Sequence, residues 1–260
     1  MKILLAGCGK MGGALLKGWL AAGISPADIL VVEPIGEVPF GVKQVTSPEE
    51  VNFNPDIIIM AVKPQMMDQV LPLYKSWAES AVFLSIAAGK TIAYFTKHLG
   101  AGAKIVRSMP NTPAALGRGI TVACVNSLVS AEMKDICHKL LAAAGQVEWV
   151  DDEGLIDAVT AVSGSGPAYV FYLTECLAEA GVKAGLDSEL AMKLARATVA
   201  GAGEMLHVLS DSPAILRKNV TSPGGTTAAA LDVLMHETAL KPLMEKTVMA
   251  ACLRSSELAK

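Results

Sequence analysis

The chain has 260 residues, a formal net charge of −3 and 52% hydrophobic residues, enough for one large or two modest domains with filled cores. The acidic balance without a basic run argues against nucleic acid or an anionic membrane surface as a partner. No apolar run approaches the roughly 18 residues that span a bilayer, and the five cysteines are scattered without a CxxC pair. We therefore expect a cytoplasmic protein with no membrane association, no disulfide framework and no metal site.

The chain opens with a strand, a glycine turn and a helix. An apolar run at residues 2–6 is followed by Gly7, Gly9 and Gly12 in the spacing GxGxxG and then by a helical pattern. A second apolar run, Ile29–Val32, ends at Glu33, 21 residues after Gly12. In a dinucleotide-binding βαβ unit the first glycine makes the turn, the second lets the pyrophosphate approach and the third lets helix and strand pack. This segment is therefore predicted to bind a nicotinamide dinucleotide.

Glu33 bears on which dinucleotide is used. A carboxylate at this position accepts hydrogen bonds from the adenosine ribose hydroxyls and repels a 2′-phosphate, which favours NADH over NADPH. Lys10 and Lys43 could instead reach a 2′-phosphate, and Pro34 could turn the carboxylate away. Both NADPH and NADH stay open, with Glu33 leaning toward NADH.

Up to about residue 150, short β-branched runs alternate with helical patterns. The predicted strands are residues 2–6, 29–32, 57–62, 82–86, 104–107, 120–125 and 147–150. The alternation predicts an α/β fold, a Rossmann-type doubly wound, mostly parallel sheet, in which the pairing of the last strands is open. From residue 153 the pattern is helical, which predicts a C-terminal all-helical domain. The expected domains are residues 1–152, which bind the dinucleotide, and residues 153–260, which bind substrate and dimerise.

An oligomer is expected from composition. The mean hydropathy is +0.43 although aromatic residues make up only 5% of the chain. The excess lies in Ala, Leu, Val and Met, and apolar helices of this kind often bury surface against another subunit. At least a homodimer is therefore predicted.

Loops at the carboxyl ends of the strands are the expected ligand sites, because open α/β sheets bind ligands there. Four such segments stand out, at residues 61–65, 87–89, 109–113 and 163–168. Each is also compatible with an ordinary turn. Arg107, just before the Met-Pro-Asn turn at 109–111, is open to a structural role.

The segment Val-Thr-Ser-Pro-Gly-Gly-Thr-Thr at residues 220–227 places two glycines and several hydroxyl groups at a predicted helix N-terminus. Amides at a helix start have no intrahelical partner and carry the positive end of the helix dipole, so a carboxylate or phosphate can bind there. The alternative is an ordinary capped turn before a helix at 228–235.

Together these motifs resemble one family. Residues 61–65, 109–113, Ser-Gly-Ser-Gly-Pro-Ala-Tyr at 163–169 and Ser-Pro-Gly-Gly-Thr-Thr at 222–227 resemble pyrroline-5-carboxylate reductases over essentially the whole chain. The last two motifs are specific to that family, whereas the glycine fingerprint is shared with many dehydrogenases. The resemblance implies a Rossmann domain and a helical domain that forms interlocked dimers, often assembled into decamers. Many members carry a Ser or an Arg-containing stretch where this chain has Glu33-Pro34, which puts the usual NADP habit in doubt.

The resemblance implies hydride transfer from NAD(P)H to the C=N bond of 1-pyrroline-5-carboxylate, giving L-proline in the last step of proline biosynthesis. The amides of Gly224, Gly225 and Thr226, with Ser222 as a further donor, would hold the substrate carboxylate. Thr227 would be the catalytic hydroxyl that orients the iminium or relays a proton.

The residues implied in cofactor binding lie in the glycine turn, in two loops of the sheet and just before the turn at 220–227. The glycine turn would surround the pyrophosphate, and the two loops would flank the ribose and nicotinamide. They are Gly7, Cys8, Gly9, Lys10, Met11, Gly12, Glu33, Ala61, Val62, Lys63, Pro64, Ala87, Ala88, Gly89 and Asn219.

The sequence also bears on three other functions. A β-hydroxyacid dehydrogenase needs a lysine within the first long helix of its second domain, and residues 168–180 contain none. A non-catalytic NAD(P)-sensing protein would lack the glycine-rich turn at 222–227, which is intact. A reductase for related cyclic imines stays open, because pocket shape sets the ring size accepted.

Overall fold

The computed structural model describes residues 1–259 and forms two compact units. The first comprises Met1–Gly164 and the segment from residue 251 onward, and the second comprises Ser165–Ala250. The division thus falls after Gly164, whereas the sequence places a boundary after residue 152. The intervening helical residues stay with the sheet because Ile156 is fully buried against Val122 and Cys124.

An eight-stranded sheet with the order β3-β2-β1-β4-β5-β6-β7-β8 forms the first unit. Its strands are β1 Ile3–Ala6, β2 Ile29–Val32, β3 Lys43–Val45, β4 Ile57–Met60, β5 Val82–Ser85, β6 Lys104–Met109, β7 Gly119–Val125 and β8 Gly145–Trp149. All neighbours are parallel except β6 and β7, which are antiparallel. The predicted Rossmann-type sheet is confirmed, and the reversal at β7 settles the pairing that the sequence left open. Strand β3 was not predicted, because it has three residues of which one is buried.

Strands β1, β2 and β4 are apolar throughout because helices cover both faces of the sheet. The helices of this unit are α1 Lys10–Ala21, α2 Met67–Val70, α3 Ile92–Leu99, α4 Ala131–Ala142 and α5 Leu155–Val159. Alternate residues of β1 enter different cores: Ile3 and Leu5 pack with Trp19 of α1, whereas Leu4 and Ala6 pack with Phe95 of α3. This two-sided burial fixes the strand register, and with it the edge where the loops gather.

The second unit is helical. It contains α6 Gly166–Lys183, α7 Ser188–Val208, α8 Pro213–Asn219, α9 Thr226–Leu234 and the first part of α10 Leu240–Leu258. Pro167 and Pro242 lie in first helical turns, where a proline costs no hydrogen bond. Few side chains of this unit are buried, and many large apolar ones are exposed, such as Phe171 and Tyr172 at 64% and 67%. Among the described helices, none is long and apolar enough to cross a membrane.

Trp19 joins α1 to α4 and allows a test of this packing. Its ring is fully buried, and its indole N–H donates to the Leu140 carbonyl at 2.8 Å. We expect Trp19→Phe to lower the free energy of unfolding by about 2–4 kcal/mol, because the carbonyl loses its donor and the smaller ring leaves a cavity. Urea unfolding followed by circular dichroism measures the loss.

Trp77→Phe is the matched control. The Trp77 ring is half-buried, and its indole N–H makes no hydrogen bond within residues 1–259. Its replacement should cost about 1 kcal/mol or less. Equal losses in the two variants would contradict the role assigned to the Trp19 hydrogen bond.

Candidate functional site

The glycine turn after β1 has the geometry that its spacing predicts. Gly7 has φ +89°, and a Cβ there would lie 2.9 Å from the Ala61 carbonyl oxygen. A Cβ on Gly12 would lie 2.5 Å from the Gly7 carbonyl oxygen and 3.2 Å from the Ala61 Cβ. Gly7 is therefore required by the turn and Gly12 by the close approach of α1 to the sheet.

Gly9 differs, because a Cβ built on it would meet no atom within 4 Å. It is the N-cap of α1 and supplies no side-chain cap. In the described chain, the amides of Lys10, Met11 and Gly12 make no hydrogen bond. Unpaired amides beside open space form the anion-binding arrangement of a helix N-terminus, which fits the pyrophosphate of a dinucleotide.

The Glu33 carboxylate turns toward the glycine turn. Its Oε2 accepts a hydrogen bond from the Cys8 amide at 2.8 Å, and its Oε1 accepts one from the Ile35 amide at 3.1 Å. Pro34 therefore does not turn the carboxylate away. Burial raises the pKa of the Cys8 thiol, and the negative charge of Glu33 raises it further, so the thiol stays neutral. Each carboxylate oxygen keeps a lone pair for a second donor.

Gln44 on β3 fixes the loop that follows Glu33. Its side-chain amide group donates to the carbonyls of Glu33 at 2.8 Å and Gly36 at 2.9 Å, and its carbonyl accepts from the Val38 amide at 2.9 Å. These three hydrogen bonds fix the backbone from Glu33 to Val38 and so help to position the Glu33 side chain.

Lys43 lies away from that carboxylate. The register pairs Lys43 with Leu30 and Val45 with Val32, so Lys43 stands at the amino end of β3. It lines a groove there with Lys2 and Asp28. The carboxyl end of β2, where Glu33 follows, is at the opposite end of the strand pair, which argues against Lys43 as a ligand of a 2′-phosphate.

Two further loops emerge at the same edge of the sheet. The Ala61 amide donates to the Ala6 carbonyl at 2.8 Å, and the Ile86 amide donates to the Met60 carbonyl at 3.2 Å. Both loops therefore start directly after the last hydrogen bonds between their strand and its neighbour. Of the predicted contact residues in these loops, Ala87 is buried, Ala61, Val62, Pro64 and Gly89 are half-buried, and Lys63 and Ala88 are exposed. The predicted contact residues of the first unit thus lie together at the carboxyl-terminal edge of the sheet.

Arg107 has a partner that the sequence did not reveal. Its guanidinium Nη1 lies 2.7 Å from Glu153 Oε1, and the residue is only 4% exposed. The same Glu153 oxygen accepts a hydrogen bond from the Ile92 amide at 2.8 Å. Arg107 thus makes a buried ion pair, in line with the structural role that the sequence left open. Glu153 was missed because it lies 46 residues away, in an acidic stretch typical of a solvated turn.

Asn111 connects the Met-Pro-Asn loop to the Ser-Gly-Ser-Gly motif. Its Oδ1 accepts a hydrogen bond from the Ile120 amide at 2.9 Å, and its Nδ2 donates to the Ser163 carbonyl at 3.2 Å. A Cβ on Gly164 would lie 2.6 Å from the Met109 Cε. Two motifs that are far apart in the sequence are therefore packed together within the first unit.

The glycine-rich turn of the second unit leads directly into α9. Gly224 has φ +68°, and the Gly225 amide donates to the Ser222 carbonyl at 3.1 Å. Helix α9 begins at Thr226, two residues before the helix of the alternative reading, and Gly225 provides no side-chain cap. Within the described part of the chain, the amides of Thr226 and Thr227 make no hydrogen bond.

This geometry changes the predicted set of substrate donors. The Gly225 amide is used within the turn, so the amides that stay available are those of Gly224, Thr226 and Thr227. Ser222 is exposed, and a Cβ on Gly225 would overlap its Oγ. Asn219 is the exposed last residue of α8. These residues belong to the second unit, and the other predicted contact residues belong to the first.

Comparison with known proteins identifies the family. A family model described as pyrroline-5-carboxylate reductase dimerisation matches residues 153–258, and one described as NADP oxidoreductase coenzyme F420-dependent matches residues 2–89. The chain is 39% identical to the pyrroline-5-carboxylate reductase of Pseudomonas aeruginosa, over 99% of this chain and 97% of that one. It is 37% identical to the Escherichia coli enzyme, over 98% and 97% of the two chains.

Solved structures agree with this match. A pyrroline-5-carboxylate reductase from Coxiella burnetii superposes with a TM-score of 0.93 at 35% identity, covering 100% of this chain and 98% of that one. The Plasmodium falciparum pyrroline carboxylate reductase with NADP bound superposes with a TM-score of 0.85 at 33% identity, with the same coverage. By sequence and by fold over nearly its whole length, this chain belongs to the pyrroline-5-carboxylate reductase family.

Proposed function

We propose that this protein reduces the C=N bond of 1-pyrroline-5-carboxylate to give L-proline, the last step of proline biosynthesis. The observation that carries the proposal is the match to a pyrroline-5-carboxylate reductase over 99% of the chain, because it includes both glycine-rich turns. NADH or NADPH, when bound, supplies the hydride. The unpaired amides at the start of α1 support binding of such a cofactor.

In the first unit, the turn from Gly7 to Gly12 would hold the pyrophosphate through backbone amides. The loops at 61–64 and 87–89 would flank the ribose and nicotinamide, and Asn219 of the second unit would also contact the cofactor. The neutral Cys8 thiol adds no charge that would repel the pyrophosphate. Backbone amides and a helix dipole can bind a pyrophosphate without an arginine. This fits the turn at residues 7–12, in which Lys10 is the one cationic residue.

In the second unit, the amides of Thr226 and Thr227 would hold the substrate carboxylate, with the Gly224 amide and the Ser222 hydroxyl as further donors. Unpaired amides at the positive end of a helix stabilise an anion without a charged side chain. The Thr227 hydroxyl would donate a hydrogen bond to the neutral imine nitrogen, or accept one from the protonated imine and so orient it. Protonation of this nitrogen, or a hydrogen bond to it, makes the imine carbon a better hydride acceptor. A threonine is too weak an acid to do more alone, so water would complete the proton transfer.

Thr227→Ala tests the catalytic hydroxyl. We expect kcat for 1-pyrroline-5-carboxylate reduction to fall about 100-fold, because the hydroxyl is lost while the backbone amide stays. Loss of NAD(P)H absorbance measures the rate. Thr227→Ser, which keeps the hydroxyl, should retain most of the activity, and near-normal turnover by Thr227→Ala would refute the role of Thr227.

We further propose that NADH is preferred over NADPH. The Glu33 carboxylate is held toward the glycine turn by the Cys8 and Ile35 amides, and its remaining lone pairs can accept ribose hydroxyls. A 2′-phosphate would meet this negative charge, and Lys43 stands at the far end of its strand. Lys10 remains the one nearby cation of the turn that could offset the repulsion.

Glu33→Ser tests this preference. We expect KM for NADH to rise about tenfold and KM for NADPH to stay level or fall, because a charged hydrogen bond to the ribose is lost along with the repulsion. Steady-state kinetics with each cofactor measure the two constants. Glu37→Ser removes an exposed carboxylate of the same loop and should change neither, and a parallel response of both cofactors to Glu33→Ser would refute the preference.

A homodimer formed through the second unit is also proposed. Its long helices expose large apolar side chains such as Phe171, Tyr172 and Leu206, more than a monomer ordinarily leaves in water. The match of residues 153–258 to a dimerisation model supports the same surface. The resemblance also leaves a decamer open.

Light scattering tests the assembly. We expect a mass of at least twice the 27.0 kDa of one chain, and ten times that mass would establish a decamer. Phe171→Glu should lower the mass toward that of one chain, because it places a charge in an apolar interface. Leu73→Glu, at an exposed apolar residue of the first unit, should leave the mass unchanged. A wild-type mass of one chain would refute the dimer.

The cytoplasm is the compartment that we propose. All five cysteines are free thiols. Burial raises the pKa of Cys124 to about 11 and that of Cys137 to about 12, so both are protonated and unreactive. A chain of this size without disulfides suits a reducing compartment.

A further inference from the structure

We propose that Glu153, oriented by Arg107, is a positioning residue for the loop at residues 87–89. The inference rests on the proposed function, which places this loop beside the nicotinamide. A single carboxylate oxygen, Glu153 Oε1, receives Arg107 Nη1 at 2.7 Å and the Ile92 amide at 2.8 Å. Glu153 therefore ties strand β6 to Ile92, the first residue of α3, which lies three residues after Gly89.

The loop is fixed at both ends by side chains. At its start, the Ser108 hydroxyl donates to the Ser85 carbonyl at 2.8 Å, and the Ala87 amide donates to the Ser85 hydroxyl at 3.2 Å. At its end, the Ile92 amide belongs to the first turn of α3 and has no intrahelical acceptor, so Glu153 completes its hydrogen bonding. A carboxylate at this position also interacts favourably with the helix dipole.

Arg107 gives that carboxylate a defined orientation. The Arg107 side chain is almost fully buried, whereas the Glu153 side chain is 30% exposed. A half-exposed glutamate has several rotamers, and the fixed guanidinium selects the one that directs Oε1 at Ile92. Buried ion pairs contribute little net stability compared with apolar replacements, so stability alone is a weak reason for this pair.

The middle of the loop has little room to adjust. Gly89 has φ +72°, and a Cβ there would lie 3.1 Å from the carbonyl oxygen of Leu258 in the same unit. The loop is thus bounded by Ser85 at one end, by Glu153 at the other and by the end of α10 at Gly89. Releasing Ile92 would let the end of the loop move, and displacements of about 1 Å near reacting atoms can cost 100-fold in rate.

The experiment compares two ligands on the whole 260-residue chain. ADP-ribose contains every part of NADH except the nicotinamide, so it keeps the contacts to the glycine turn and Glu33 and loses those that the nicotinamide would make. For Glu153→Ala, which removes the side-chain acceptor, we expect Kd for NADH to rise about tenfold, Kd for ADP-ribose to stay unchanged, and kcat to fall at least as much as NADH binding weakens. Isothermal titration calorimetry and steady-state kinetics measure these quantities.

Two further variants separate positioning from stability. Asp151→Asn removes an exposed carboxylate two residues away and should leave both dissociation constants and kcat unchanged. The double variant Arg107→Met, Glu153→Met leaves no unpaired buried charge and should fold, yet it should show the NADH defect because Ile92 still lacks its acceptor.

Equal weakening of NADH and ADP-ribose by Glu153→Ala would overturn the proposal, and so would wild-type NADH binding and kcat in the double variant. A wild-type protein that binds both ligands but does not reduce 1-pyrroline-5-carboxylate would refute the proposed function. In that case the ratio of the two dissociation constants still decides the role of Glu153.

Discussion

The close approach of α1 to the sheet is the constraint on which the first unit depends. Residue 12 lies so near the Gly7 carbonyl and Ala61 that no side chain fits there. The same contact aims the first turn of α1 at the carboxyl ends of β1 and β4, and Trp19 on the next turns anchors the helix to α4. The packing of α1 against the sheet therefore has two effects. It leaves the unpaired amides at the start of α1 beside open space, and it lets α1 cover one face of the sheet.

Polar groups at this edge of the sheet are held by other polar groups. Glu33 is fixed by two amides and by the Gln44 hydrogen bonds to its loop, and Glu153 is fixed by Arg107. In each case a carboxylate accepts backbone donors that would otherwise be unpaired. The arrangement converts flexible loops into supports with defined positions, which is what a site for a long dinucleotide requires.

The second unit follows a different physical logic. Its helices bury few side chains and expose many apolar ones, so its own core is small. In the proposed homodimer, another copy would offer the apolar surface that one chain cannot supply. The turn at 222–227 can then stay polar and open, since the stability of the unit need not come from it.

The sequence by itself determined the βαβ unit, the mostly parallel sheet, the helical second half and the family. These features depend on the period of apolar residues, the glycine spacing and short motifs, all of which involve residues close together in the chain. It also located both glycine-rich turns, with α9 starting only two residues earlier than the alternative reading places it. Local patterns cannot report pairings between distant segments, however. Tertiary structure alone decided the antiparallel pairing of β7, the short strand β3 and the inclusion of residues 153–164 in the first unit. It alone also joined Glu153 to Arg107 and Ile92, and directed Glu33 toward Cys8, because such contacts depend on which backbone donors the fold leaves without partners.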